Sequence, residues 1–512
     1  MLLVRYWTLR LVFLSAVKRM SGRILSSHAL KGTTVIQRAQ LYGLLLTLVA
    51  ATVTASERVR MTNADQPSNA RGPALRRTLI SKNGSERATQ GNGNKIVTFD
   101  GKTHIVWQDS TGEGYFARVR TLDRGSGKWS EVWTLGKGRD NHARPTLIVD
   151  SEGYLHAIIG GHHSGLQYRR GVRPNDASKW TEAVTFGKTT YPVLMCGPDD
   201  TLYLTGRHDA GWKGMDFYVK PKHGEWHRDG LLVRKQARHK FYAAYHNRLA
   251  WGPEHRTLHM STGFYMGLRG DGSRKLRGLH QAIGYMRSRD FGKTWTRADG
   301  TPIETPATTG TIDLLEEGER APEATGRPKP GIQHCGIAVD SRNRPHVVYV
   351  RHTPQPMRAL LKVADSKGNW HERPLDRAIA ENWPGWGMTR CRVSMTENDL
   401  LCLLITLAPR EHPDANWNPG KWCRPAFWLR EYPKIKRIAW LESADGGRTF
   451  TAREVVPHDP EVGTLLPTLE IPTGHNRIPA GRRPAVMYFE GLSRYTKPGE
   501  VIDNKVYFLD WE

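Results

Sequence analysis

Apolar residues along this chain come in short runs, with no long helical stripe among them. An apolar step enters a turn of Asp, Gly, Asn or Pro, and a short strand rich in β-branched and aromatic residues leaves it. The pattern stands at Phe99–Trp107 (FDGKTHIVW), Val149–Ile158 (VDSEGYLHAI), Gly197–Leu204, Gly252–Met260 and Val339–Tyr349. Looser copies occupy Thr396–Cys402 and Pro479–Tyr488. The spacing, mostly roughly 45–60 residues, is that of four-stranded blades. Seven such hairpins predict an all-β fold, a seven-bladed β-propeller over residues 95–512. A pair of β-sandwiches or a six-bladed ring is the alternative, because the last two copies are the least regular. The Thr-, Glu- and Pro-rich stretch 301–330 has no period and reads as a surface loop. Closing the ring requires the strand Lys505–Asp510 near the end to pair with an early one, which removes a sheet edge.

Two stretches share one template, Ser-x-Asp-x-Gly-x-Thr-aromatic: Ser288–Trp295 (SRDFGKTW) and Ser443–Phe450 (SADGGRTF). The Asp and hydroxyl oxygens can hold the N–H groups of a tight turn, Gly takes the positive φ, and the aromatic packs beneath. The template resembles the Asp-box turn that joins two strands within a propeller blade. In families that carry it, the box lies away from the active site, so it speaks for fold alone.

Residues 1–40 contain seven Lys and Arg and no acid, and Leu41–Ala55 is apolar and ends in small residues. At roughly 15 residues this run is short for a span, which wants about 20. It is expected to be a signal peptide over 1–55, with an uncleaved anchor as the alternative. Residues 56–94 are Ser-, Arg-, Asn- and Gly-rich and are expected to form a flexible linker. The expected location is secreted or periplasmic, with no stable membrane insertion after cleavage.

The formal charge is +25. Removing the leader leaves roughly +18, which favours an anionic partner. No basic run with interleaved aromatics is present, so nucleic acid is not expected. An anionic polysaccharide fits an exported basic propeller. The five cysteines are odd in number and irregular in spacing, and imply no disulfide framework.

Four segments place polar residues where inner strands begin or end. They are Arg139–Pro145, Gly160–Gly165 with its paired histidines, Thr190–Pro192, and Thr205–Asp209. Taken singly, each is more readily a packing or turn residue. Together they flank two consecutive inner strands and would face one channel mouth.

The run Asn141-His142-x-x-Pro-x-Leu-x-Val-Asp, the Gly-His-His-Ser stretch with Tyr168, Thr-Tyr191-Pro and Arg207-x-Asp209 resemble the BNR-repeat family, which includes the seven-bladed ulvan lyases. Gln333-His334-Cys335 and the two Asp boxes continue the resemblance, which covers most of residues 95–510. It implies a polysaccharide lyase whose cleft is lined by two histidines, a tyrosine and an arginine. These match His142, either His162 or His163, Tyr191 and Arg207, with Asn141, Arg144, Asp209 and Trp212 beside the substrate. Trp212 and Lys213 stand where the family has a small polar turn, which leaves substrate identity open.

The implied chemistry is β-elimination on a uronate. Arginine neutralises the carboxylate, a base takes the C5 proton, and an acid protonates the departing 4-oxygen. His142 or Tyr191 is the expected base and Tyr191 the acid. No cofactor is required for catalysis. The resemblance also makes a structural zinc on His280, His334 and Cys335 a candidate. The alternatives are a sialidase-like hydrolase, whose early Arg-Ile-Pro signature is missing, and a non-catalytic glycan-binding propeller.

Overall fold

The structure is a computed structural model, and it describes residues 75–162, 164–208, 214–234, 242–269, 276–317, 332–351, 358–410, 433–492 and 499–511. The expected signal peptide, 1–55, lies outside these residues. Among the described residues the chain forms seven antiparallel blades, numbered here in chain order.

The innermost strands are Ile96–Phe99, Thr146–Val149, Thr189–Cys196, Tyr242–Trp251, Ile332–Val339, Trp386–Met395 and Thr464–Leu469. Each turns back on the next strand of its blade at one of the seven hairpins marked by the sequence. The turns therefore gather at one end of the ring, the hairpin face. The starts of the inner strands gather at the other end.

Each blade buries both faces against neighbours, so its middle strands read as nearly continuous apolar runs. Lys102–Thr111 is buried at all but its first and last residues, whereas the outer strand Trp370–Arg373 is not buried at any position. Seven apolar clusters fill the seven gaps between consecutive blades, including the gap between the seventh and the first. Trp107, Trp295 and Trp440 are almost wholly buried, each with its indole N–H bonded. Burial on that scale stabilises the ring by about 2–3 kcal/mol per large side chain.

Ring closure corrects the expected linker. Leu75–Gly84 is a strand, the outermost of blade seven, paired along Asn504–Trp511 from Leu75 opposite Trp511 to Gly84 opposite Asn504. Its sequence, LRRTLISKNG, shows no apolar period because it is an edge strand with few buried residues. It is held by ladder bonds and by Arg77, which bonds Glu490 at 2.6 Å and lies 3.7 Å over the Tyr507 ring. Of the expected linker, 56–74 lies outside the described residues.

The expected loop 301–330 is corrected as well. Pro302–Ile303 and Asp313–Glu317 are short strands that extend blade four, and 318–331 lies outside the described residues. One helix, Leu375–Asn382, links blades five and six. No helix among the described residues is long and apolar enough to cross a membrane.

Both Asp boxes form as the sequence predicts. Asp290 accepts from the N–H and hydroxyl of Thr294 (2.9 and 2.6 Å), and Gly292 N–H donates to Ser288 Oγ at 2.7 Å. Gly292 has φ of 96°, and a methyl group there would meet the Phe217 ring at 2.5 Å. The second box repeats these bonds around Asp445.

The connection 470–485 lies across the hairpin end of the axial channel. It is tied to blade one through Glu470, to blade three through Thr473 O, to blade four through Gly474 O and to blade six through Ile478 O.

Candidate active site

The candidate residues meet at the other end, the cleft face. Asp140, in the turn ahead of the inner strand of blade two, accepts the backbone N–H of its own second neighbour, His142, at 2.7 Å. This Asx turn aims the imidazole back at the carboxylate, with His142 Nδ1 at 3.3 Å from Oδ1. His162 follows the second strand of the same blade, and its Nδ1 lies 2.5 Å from the other oxygen, Oδ2. One carboxylate thus orients two imidazoles, which stack with ring centroids 4.1 Å apart. His162 therefore joins His142 on this carboxylate; His163 lies outside the described residues.

Tyr191 arrives from blade three. Between the pairs Thr190–Arg207 and Val193–Thr205, Tyr191 and Pro192 oppose the single residue Gly206, which makes a bulge. Tyr191 takes φ of 62°, a conformation that costs a non-glycine residue free energy and persists only where the surroundings enforce it. The bulge turns the phenol toward His142, with 6.2 Å between ring centroids. Arg207 Cζ lies 4.9 Å and Arg144 Cζ 5.1 Å from the Tyr191 ring centre. His142, His162, Tyr191, Arg144 and Arg207 therefore share one pit between blades two and three.

Electrostatics fix the protonation of His142. Burial pushes His142 down to about 3; the Asp140 bond opposes this, while Arg87 and Arg144 add to it. Burial alone would raise Asp140, but its bonds to His142 and His162 outweigh that and hold it well below the usual carboxylate range. At neutral pH the arrangement is an ionised Asp140 accepting from a neutral His142. A neutral imidazole with its Nδ1–H on a carboxylate presents Nε2 as a proton acceptor.

Two expected substrate contacts are placed differently. Asn141 is 3% exposed and gives its amide to Glu86, so it braces the turn. Arg144 is 6% exposed and sits behind Tyr191. Asp209 and Trp212 lie outside the described residues. Asp140 and Glu86 were not singled out by sequence reasoning. The Asp-Asn-His order at a turn is the signal for Asp140; Glu86 carries none, since it lies 55 positions before its partner.

Of the expected zinc ligands, His334 and Cys335 have described side chains, and these two diverge. His334 Nε2 meets Ser261 Oγ of blade four at 2.7 Å, whereas Cys335 packs toward blade six. The two side chains thus meet different neighbouring blades. The side chain of His280 lies outside the described residues. Cys196, Cys335, Cys391 and Cys402 are free and buried.

Comparison with known proteins matches this architecture. The profile described as a BNR repeat-containing family member matches residues 102–378, more than half of the chain. The chain belongs to the BNR repeat-containing family. Among curated proteins it is 27% identical over 139 residues to "Ulvan Lyase-PL25" of Pseudoalteromonas sp. (strain PLSV), covering 22% of this chain and 27% of that one. It is 21% identical over 247 residues to the ulvan lyase of Alteromonas sp. (strain LOR), covering 42% and 50%. The chain thus spans half or less of these relatives' lengths. Among solved structures, a PL25 ulvan lyase bound to -[GlcA(1-4)Rha3S]- superposes with a TM-score of 0.59 at 15% identity, over 84% of this chain and 95% of that one. Polysaccharide lyase Uly1 gives 0.51 at 11% identity, over 88% and 94%. At such identities the structural likeness speaks for the fold.

Proposed function

We propose that this BNR-repeat protein is an exported polysaccharide lyase that cleaves a uronate-containing polysaccharide, ulvan-like and sulfated, by β-elimination. One observation carries the reading: a neutral, carboxylate-held imidazole, a phenol on strained backbone and a guanidinium share one pit. The relatives that act on ulvan, and one solved with a glucuronate–rhamnose-sulfate fragment, support the substrate class.

In this reading Arg207, 1% exposed beside the Tyr191 ring, acts through its field and offsets part of the charge that builds as C5 loses its proton. His142 Nε2 takes that proton, and Asp140 steadies the imidazolium that results. The C5–H electron pair forms the C4–C5 double bond while the C4–O bond breaks, and the Tyr191 hydroxyl gives its proton to the departing oxygen. His162, held by the same carboxylate, positions the substrate carboxylate or the phenol. A glycosidase would need two available carboxylates. Asp140 and Glu86 are both committed, to the histidines and to Asn141.

The test is incubation with a panel of uronate-rich polysaccharides, following near-ultraviolet absorbance from new double bonds. Absorbance that rises with chain cleavage is the expected result. New reducing ends without absorbance indicate a hydrolase, binding without cleavage indicates a lectin, and either outcome overturns the reading.

A further inference from the structure

Four cations lie on or just before the inner strands of four blades, the strands that line the axis of the ring. Lys95 precedes the inner strand of blade one, is fully buried, and donates to Pro145 O at 2.6 Å. Arg144 precedes that of blade two, and its Nε has no hydrogen-bond partner. Arg248, on the inner strand of blade four, is 9% exposed; Nη1 donates to Asn247 O at 2.8 Å, and Nε has no partner. Arg392, on that of blade six, donates to Gly91 O at 2.6 Å and to Pro467 O at 3.4 Å.

Lys95, Arg144 and Arg392 are neighbours, and Arg248 lies within electrostatic reach of Arg392 and Arg144. Gly91 accepts from Arg392, and a methyl group on Gly91 would stand 3.4 Å from Lys95 Nζ. The carbonyl that accepts from Lys95 belongs to the residue after Arg144. Burial and the nearby cations Arg87 and Arg392 push Arg144 down to about 9 against the opposing pull of Tyr191 and Asp140, and burial with Arg390 pushes Arg392 down to about 10. The charges acting on Lys95, Arg248 and Arg392 are other cations and the buried thiols of Cys335 and Cys391.

Not one of the four forms an ion pair among the described residues. Carbonyl dipoles compensate a buried cation only in part, and buried charges are ordinarily paired. The contrast lies within the same channel: buried Glu470 is met by both terminal nitrogens of Arg482, at 2.8 and 3.0 Å. Proteins pair a buried charge where they can, and no carboxylate among the described residues pairs with these four. Guanidinium forks suit a planar or tetrahedral oxyanion, whose oxygens can each accept from a different arginine.

We propose that the axial channel holds a tetrahedral oxyanion, sulfate or phosphate, gripped by Arg144, Arg248 and Arg392. The ion is either free in solution or an ester on a bound glycan. The free-ion arm of the test does not depend on the lyase reading.

The test is thermal melting of the full chain against sodium sulfate and phosphate at constant ionic strength, with chloride as the control and a sulfated monosaccharide as a separate arm. Sulfate should raise Tm with the logarithm of its concentration above its dissociation constant, by about 3–5 °C at a hundredfold excess. Arg248→Met should lose this response, yet melt no lower than the parent in sulfate-free buffer, because it removes a buried charge without a partner. Arg392→Gln provides a second test should Arg248→Met fail to fold, and calorimetric titration of sulfate into the parent protein provides a third. A response to the sugar ester as well as the free ion assigns the site to the glycan; a response to the free ion alone assigns it to a resident ion. Both support the site. A sulfate response no greater than that of chloride, or one kept in full by the arginine variants, overturns it.

Discussion

The two ends of the ring use histidine in opposite ways. At the hairpin face, His104 bonds Thr121 Oγ1 and Asn175 Oδ1, both at 2.8 Å, and His259 bonds Tyr285 Oη at 2.7 Å and Asn343 Oδ1 at 2.9 Å. Each ring joins the third strand of its own blade to a turn of the next, with both nitrogens engaged. At the cleft face, His142 and His162 leave the strands, stack on each other and share one carboxylate. The first arrangement fastens blades together. The second concentrates groups that can move protons, on backbone that costs free energy to hold. A histidine repeated at one hairpin position is thus structural, and a histidine in a turn that breaks the repeat is the candidate for chemistry.

The sharpest way to break this comparison is to empty the cleft. His142→Ala and Tyr191→Phe should each lower kcat/KM on a uronate polysaccharide by about 10²–10⁴, the usual share of a general acid or base, and leave Tm within about 2 °C. Asp140→Asn should cost roughly 10–100-fold, mostly in kcat. The Asp140 bond raises the His142 pKa, so its loss should also move the acid limb of the pH–rate profile to lower pH. A purely structural role would leave that limb where it is.

The hairpin face should answer in stability alone. Burial pushes His104 and His259 down from 6.5 to about 4. The unfolded chain therefore binds protons more tightly than the folded one. Stability is full above about pH 6.5 and falls as pH drops toward 4, by on the order of 2 kcal/mol for each histidine at pH 5. Denaturant melts at pH 7 and pH 5 check this, and His259→Gln should flatten the dependence. The smallest effect is expected at the Asp box: Asp290→Ala should cost about 1–2 kcal/mol through lost turn bonds and leave kcat unchanged.

Seven blades were legible in the sequence because each hairpin is a local device, an apolar step, a turn and a strand, and because the Asp boxes fix turn geometry within eight residues. The velcro strand Leu75–Gly84 was not legible. Its pairing with Asn504–Trp511 is set by ring closure across the whole chain, and its exposed side chains carry no period. The segments that hold His142, Tyr191 and Arg207 were legible from their places at strand ends, and the residues themselves from the family resemblance. Glu86 and the Lys95–Arg248–Arg392 group were not, since only the closed ring brings residues from distant blades to one axis. Asn141 reads as a substrate contact in sequence, but burial makes it a brace.

The most direct measurement is near-ultraviolet absorbance during digestion of a glucuronate–rhamnose-sulfate polysaccharide by the parent protein and by Tyr191→Phe. A steady rise with the parent and none with an equally stable Tyr191→Phe is the result expected of a pit built for proton transfer. Equal rates from both proteins, or cleavage by the parent with no new absorbance, would contradict it.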